Sequence, residues 1–404
     1  MIGGIHVKKV WYVLICVFLV LISVVVTFLF VSKSLNAYYM NEIRLLSEKD
    51  PLNAKVTELQ NCIDDNFVGE YDQTVMGDAV AEAMIASTGD RWSYYISAKE
   101  LQAYEDTMSN SYVGVGITVT ILEDGSGVLI EEVNPNGPAF EAGVLSGDIL
   151  IEADGTSVAG LELTDVRNLV RGEENTHVVL KVLREGEALE FDLIRRSIDT
   201  PVVAYEMLDD KIGYIQILNF DSKCAKESIA AIEALQKNGA EKLLFDVRNN
   251  PGGYRSELVK LLDYLLPEGP LFRMKERGGE ETVDYSDASC VKLPMMVLVN
   301  EDTYSAAEFF AAAIQEYGVG KVIGGQTCGK GYFQYTYYFS DGSAAAISSG
   351  TYCTPNGVSL ANVGVTLDYS IPMDEESYAN LYYGLLSKED DVQLQKALSV
   401  LRGE

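Results

Sequence analysis

The chain has 404 residues, 48% of them apolar and 23% charged, enough for two or three domains with their own cores, which excludes collagenous, disulfide-dense and wholly disordered classes. Against 60 Asp and Glu stand 31 Lys and Arg, a formal charge of −29 that repels phosphate backbones, so no nucleic-acid partner is expected. Only two histidines occur, His6 and His177, which excludes a His-rich metal site and leaves a His-based catalytic triad almost no material.

No charge separates Lys9 from Lys33, and Val10 to Ser32 is an apolar run of 23 residues, against the ~20 that cross a hydrocarbon core. A cleavable signal peptide has an apolar region of about 7 to 15 residues and a small-x-small exit, whereas this run leaves through Ser32-Lys33-Ser34. The expected arrangement is a cytoplasmic head over residues 1–9 and an uncleaved transmembrane helix over residues 10–32. Lys8 and Lys9 hold the head inside and send the rest of the chain out of the cytoplasm, as a single-pass protein of the cell membrane. Cys16 follows Ile15, where lipid attachment asks for a small residue, so lipidation is not expected. Cys62, Cys224, Cys290, Cys328 and Cys353 form no CxxC, an odd count cannot all pair within one chain, and most read as packed thiols.

Residues 33–102 read as a helical N-terminal region, with Val56, Leu59, Ile63 and Val75, Ala79, Ala83 at spacings of three and four. Over residues 103–197 the rhythm changes to short β-like runs between Gly- and Pro-rich turns, a compact β-rich module. Residues 198–374 alternate strand and helix, with helices over Cys224 to Lys237, Glu257 to Leu266 and Ala306 to Tyr317, and predict a largely parallel sheet. Residues 375–404 read as a helical tail whose helices leave a homodimer open. Ligands of open α/β sheets bind beyond the carboxyl ends of the strands, and two sharp loops leave such ends here, Arg248 to Gly253 and Asn300 to Ser305.

Ser305 opens a helix, where Ser is a favoured cap. The same place suits a nucleophile, because the free N–H groups of the first turn stabilise an oxyanion. Lys330, between two glycines, leads into an aromatic strand on which Gln334 shares its face, so the amide is expected to hold the amine. With no His available, a desolvated lysine is the remaining strong base for a serine. Gly252 and Gly253 could present N–H groups opposite that of Ala306, although Asn-Pro-Gly-Gly is also a common turn. The Gly-Lys-Gly around Lys330 does not fit a phosphate loop, since the preceding glycine spacing is wrong and no Ser or Thr follows.

These signals coincide with one family. The segments YVGVGI from Tyr112, NPNGPAFEAGVLSGDILIEADG from Asn134, GYIQILNF from Gly213, LLFDVRNNPGG from Leu243, VLVNEDTYSAAE from Val297, GGQTCGKGYFQ from Gly324 and GSAAAISSGTYCTPNG from Gly342 resemble the carboxyl-terminal processing proteases, the tail-specific serine peptidases of family S41. The resemblance extends to STGDRWSYYISAKE from Ser87 and DVQLQKALSVL from Asp391. It implies a multidomain fold: the transmembrane helix, a small helical segment, a β-rich PDZ domain and an α/β core of ClpP/crotonase-like type. It implies a serine endopeptidase cutting proteins near their C-termini with Ser305 as nucleophile, Lys330 as general base, Gln334 orienting the lysine, and Ala306 with Gly252 or Gly253 as oxyanion donors. The turn Val113, Gly114, Val115, Gly116 would take the free carboxylate of a protein or peptide substrate. No cofactor or metal is implied. Members often carry Ser-Ala-Ser around the nucleophile and Thr-Phe-Gly-Lys-Gly before the base, where this chain has Tyr304-Ser305-Ala306 and Thr327-Cys328-Gly329. A rival reading is a PDZ-based binding or scaffold protein with a degenerate protease core, and a second is a hydrolase of non-peptide esters or amides.

Overall fold

The computed structural model describes Trp11, residues 17–35, Tyr38, residues 50–122 and residues 124–404. The expected head at residues 1–9, with His6, lies outside the described residues, as does Cys16. Apolar sequence with Lys33 as its one charge dictates the first element, α1 (Val17–Leu35), long and apolar enough to cross a membrane and exposed along its length, which fits a membrane anchor or a signal sequence. Next come α2 (Pro51–Asn66), with Pro51 in its first turn and Asp50 accepting from Asn53 N at 3.1 Å, and α3 (Gln73–Ala86). The chain divides into two compact units, Met1–Gly77 and Asp78–Glu404.

The helical expectation for residues 33–102 fails at Tyr94–Ile96, which forms β1 and pairs with residues 344–346. Three aromatic and β-branched residues in a row suit an extended strand, and a long-range pairing of this kind leaves no periodic signal. The expected boundary at residue 103 falls inside α4 (Ala98–Ser109), which ends at Asn110 in the left-handed conformation (φ 49°).

β2 (Ser111–Gly114) pairs with a later strand, and β3 (Ile117–Ile121), β4 (Val128–Val133), α5 (Pro138–Ala142), β5 (Ile149–Ala153), β6 (Thr156–Ser157), α6 (Leu163–Val170), β7 (His177–Arg184) and β8 (Glu187–Ile194) form the β-rich module. Its sheet runs β3-β4-β5-β7-β8. Ile130, Leu150, Leu180, Val182 and Leu193 are fully or almost fully buried in it, and α6 closes the core with Val166 and Val170. β9 (Arg196–Asp199) returns to β2.

The remaining elements are β10 (Val203–Leu208), β11 (Ile212–Ile217), α7 (Cys224–Lys237), β12 (Lys242–Asp246), α8 (Arg255–Leu265), β13 (Gly269–Glu276), β14 (Glu281–Ser286), β15 (Met295–Val299), α9 (Ala306–Glu316), β16 (Gly320–Gly324), β17 (Tyr332–Tyr338), β18 (Ala344–Cys353), β19 (Tyr369–Ser370), α10 (Glu375–Tyr382) and α11 (Val392–Arg402). The main sheet has the order β10-β11-β12-β15-β16-β19, with β10 antiparallel and the other neighbours parallel. A second sheet runs β1-β18-β13-β14, with β17 on β18.

Because both faces of a parallel sheet are covered, all five residues of β15 are buried. Met295, Val297 and Val299 face α7, α8 and α9, whereas Met296 and Leu298 face Leu394, Ala397 and Leu398 of α11. The stretch expected as a tail therefore completes the core, and each of its two buried leucines contributes about 1.5 to 3 kcal/mol.

One buried cation joins this last helix to the sheet. Arg248 donates to Asp246 (Nε at 2.9 Å, Nη2 at 2.6 Å), to Asp391 Oδ1 (Nη1, 3.0 Å) and to Gln393 Oε1 (3.2 Å). Tyr214 donates to the same Asp246 at 2.8 Å, and Asp391 also caps α11 at Gln393 and Leu394. The two carboxylates hold the Arg248 guanidinium above its usual range against the opposing effect of burial. Replacing Arg248 with Ala should strand both carboxylates, and denaturant titration of the full chain should show a loss of about 3 to 5 kcal/mol. A loss below about 1 kcal/mol would mean that water already compensates those charges.

Candidate active site

β11, β12 and β15 end side by side, so the loops leaving them meet at one edge of the sheet. Asparagines join these loops. Asn249 N donates to Asn300 Oδ1 (2.9 Å) and Asn300 Nδ2 to Asn249 Oδ1 (2.6 Å). Asn250 Nδ2 reaches back to the carbonyl of Ile217 (2.7 Å), and its backbone oxygen accepts from Tyr304 N (3.2 Å). Thr303, fully buried, donates to the carbonyl of Val247 (2.8 Å).

These bonds press Gly252 (φ 92°) against Ser305. A Cβ at Gly252 would lie 2.7 Å from Ser305 Cβ and 2.8 Å from Ala306 N, so glycine is required twice over. Ser305 sits at φ 58°, ψ −128°, a strained conformation for a residue with a side chain, and presents its hydroxyl where strand turns into helix. Ser305 and Glu308 form a capping box in which the Glu308 carboxylate accepts from Ser305 N (3.1 Å), and the buried Tyr352 hydroxyl donates to Ser305 Oγ at 3.3 Å.

Of the three expected oxyanion donors, Gly252 N is committed to Asn250 Oδ1 at 2.8 Å. The N–H groups of Gly253 and Ala306 donate to nothing among the described residues.

Lys330 follows Gly329, and the Glu308 carboxylate accepts from Gly329 N (2.7 Å), Lys330 N (2.9 Å) and Ser305 N together. One buried carboxylate thus fixes the backbone of both Ser305 and Lys330. The Lys330 ammonium lies 4.9 Å from the centre of the Trp92 ring and has no carboxylate or hydrogen-bond acceptor within reach among the described residues. Burial lowers it to about 8, against the pull of Asp90, Cys328 and Glu308. Glu308 is itself raised by burial, opposed by Thr327 and by the backbone N–H groups of Lys330, Gly329 and Ser305.

The expected bond between Gln334 and Lys330 is absent. Gln334 Nε2 donates to Tyr332 O (3.2 Å) and Ser348 Oγ (3.1 Å). Lys330 lies two residues before the first residue of β17, outside the strand, so the period-two reasoning does not reach it. Cys328 packs beside Arg91 (3.8 Å), its thiol raised by burial.

Away from this edge, β2 ends in the turn Val113 to Gly116. Val115 O and Gly116 O accept from Ala139 N and Asn134 N, both at 2.9 Å, while the N–H groups of Val115 and Gly116 donate to nothing among the described residues. Gly116 (φ 81°) needs its missing side chain, since a Cβ would meet Gly137 Cα at 3.0 Å.

Family models match this architecture: peptidase family S41 over residues 211–371 and the PDZ domain over residues 129–184. Residues 211–371 form a peptidase core of family S41. The chain is a serine-type peptidase with a PDZ domain ahead of its α/β core. The carboxy-terminal processing protease CtpA of Bacillus subtilis (strain 168) is 29% identical over 374 residues, 91% of this chain and 78% of the relative. A solved photosystem II D1 C-terminal processing protease is 26% identical, with a TM-score of 0.47 over 84% of this chain and 92% of that one.

Three neighbours in the candidate site escaped sequence reasoning. Glu308 had a signal, the Ser-x-x-Glu spacing from Ser305. Trp92 and Tyr352 come from distant segments, and nothing local marks them. The amine of Lys330 should titrate near pH 8, ammonium below and free amine above, not near its free value of about 10.4. The check is the 13C signal of methylated Lys330 in the full chain, and a midpoint above 10 would mean that water reaches it.

Proposed function

We propose that this S41 peptidase cleaves polypeptides near their C-termini through an acyl-enzyme formed on Ser305. Lys330, as free amine, takes the Ser305 proton and returns it to the leaving amine, while Gly253 N–H and Ala306 N–H hold the oxyanion. What carries the reading is an amine lowered to about 8 with no partner of its own, tied through Glu308 to a serine flanked by idle N–H groups. Lys330 makes no hydrogen bond to Ser305 among the described residues, and the reaction requires the two to come within reach of each other. Gln334 would orient the amine only after releasing Ser348. Gly253 is favoured over Gly252 because Asn250 already occupies Gly252 N.

The unpaired N–H groups of Val115 and Gly116 support capture of a substrate's terminal carboxylate by the PDZ turn. With α1 as anchor and Lys8 and Lys9 before it, the catalytic part would face away from the cytoplasm.

Replacing Lys330 with Ala should cut turnover at or beyond the upper end of the 10² to 10⁴-fold range typical of general bases, roughly matching Ser305→Ala. The parent's rate should rise with pH through about 8 as the amine loses its proton. A folded Lys330→Ala chain within tenfold of the parent would remove the lysine from the mechanism.

Intact cells carrying the full chain should cleave a peptide added outside, and amidating its last residue should slow them. Activity that appears only after lysis would reverse the orientation. Equal cleavage of acid and amide forms would remove carboxylate capture.

A further inference from the structure

The reaction scheme leaves one carboxyl group at the site unused. Asp221 is 5% exposed, its Oδ1 is shut off from water, and no hydrogen-bond donor among the described residues reaches its side chain. Its backbone is firmly held: Asp221 N donates to Asn219 Oδ1 (3.0 Å) and its carbonyl accepts from Cys224 N (3.2 Å). The preceding residue is tied to the glycine loop, with Phe220 N donating to Gly252 O (2.6 Å) and Tyr254 N to Phe220 O (2.8 Å). A Cβ at Gly253 (φ 147°) would lie 2.6 Å from Asp221 Oδ1, just as one at Gly252 would meet Ser305. Two consecutive glycines, with Cα atoms about 3.8 Å apart, therefore touch the proposed nucleophile on one side and this carboxyl on the other.

Burying a carboxyl with no donor is costly, and almost every buried polar group in a folded protein has a partner. Here the partner is missing beside the proposed oxyanion donor Gly253. Resting on the reading of Ser305 and Gly253 given above, we infer that Asp221 is a specificity-determining residue, accepting a hydrogen bond from a basic side chain on the substrate residue whose carbonyl Ser305 attacks. A lysine or arginine there supplies both the missing donor and the opposite charge. Burial raises the carboxyl to about 7, and the titratable groups that face it are Tyr94 from β1, Cys224 from α7 and Tyr254 at the start of α8. None of these is a cation, so the counter-charge has to come with the substrate.

The test uses the full chain in detergent and peptides that differ only at that residue, lysine against norleucine, which keeps the stem and drops the charge. The parent should prefer lysine by about tenfold or more in kcat/KM, the scale of a hydrogen bond to a charged group. Asp221→Asn should bring the ratio towards one and Asp221→Leu should invert it. Neither variant should melt below the parent, since each removes an unpaired buried acid. A measurement on the parent alone guards against variants that misfold. The lysine preference should fade as pH falls below about 7 and the carboxyl gains its proton, and taking the ratio of two substrates cancels the protonation of Lys330. A ratio that is the same in parent and folded variants, or constant across that pH range, overturns the assignment while leaving the peptidase intact. If no peptide is cleaved and a serine-directed phosphonate leaves Ser305 unlabelled, the peptidase scheme falls and this assignment with it.

Discussion

Everything at the sheet edge depends on the reciprocal hydrogen bonds between Asn249 and Asn300, with Asn250 tied to the strand beside them. Loops normally gain freedom from their exposure; these are pinned by side-chain amides that stand in for backbone pairing. The consequence is steric. Once the loops after β12 and β15 are locked together, Gly252 has nowhere to go but against Ser305, and Ser305 keeps a backbone conformation that its own side chain disfavours. Strain at one residue persists because several others over-determine it.

Burial without pairing is the second theme. Lys330 and Asp221 are both shielded from water without a counter-ion, and both are displaced towards neutrality, the amine downwards and the acid upwards. Glu308 has the opposite solution, a buried carboxylate saturated by backbone donors. Arg248 shows a third, a cation enclosed by two carboxylates and an amide. In a chain of net charge −29, the contrast separates groups that hold the structure together from groups left able to change their protonation.

Much of this was legible along the chain. The helix expected over Cys224 to Lys237 begins and ends at those residues, because its apolar spacing and its flanks agree. The expected parallel pair is present as β12 beside β15. What escaped was long-range or broke a period. β1 is three residues long and makes sense only against β18, and α11 looks like any surface helix until the second face of the sheet is known to need covering. Trp92 is brought over Lys330 by tertiary folding alone. The shared face assumed for Lys330 and Gln334 failed because Lys330 stops short of β17, and the exact residue at which a strand begins is not marked in the sequence. The roles of the serine, the lysine and the glycines came from family resemblance joined to residue chemistry; the geometry adds which N–H groups are idle.

The clamp on Arg248 also has a history in time. Asp391 lies 143 residues further along the chain, so at about 5 to 20 residues per second a ribosome needs roughly 7 to 30 s to deliver it after Arg248 has been made. During that interval the arginine that begins the glycine loop has only its local partner, Asp246, and the second face of the sheet has no helix to cover it. The edge that carries Ser305 can therefore take its final shape only once translation has passed α11. A nascent chain would thus be without a finished cleft for as long as its own unfolded segments were within reach of one.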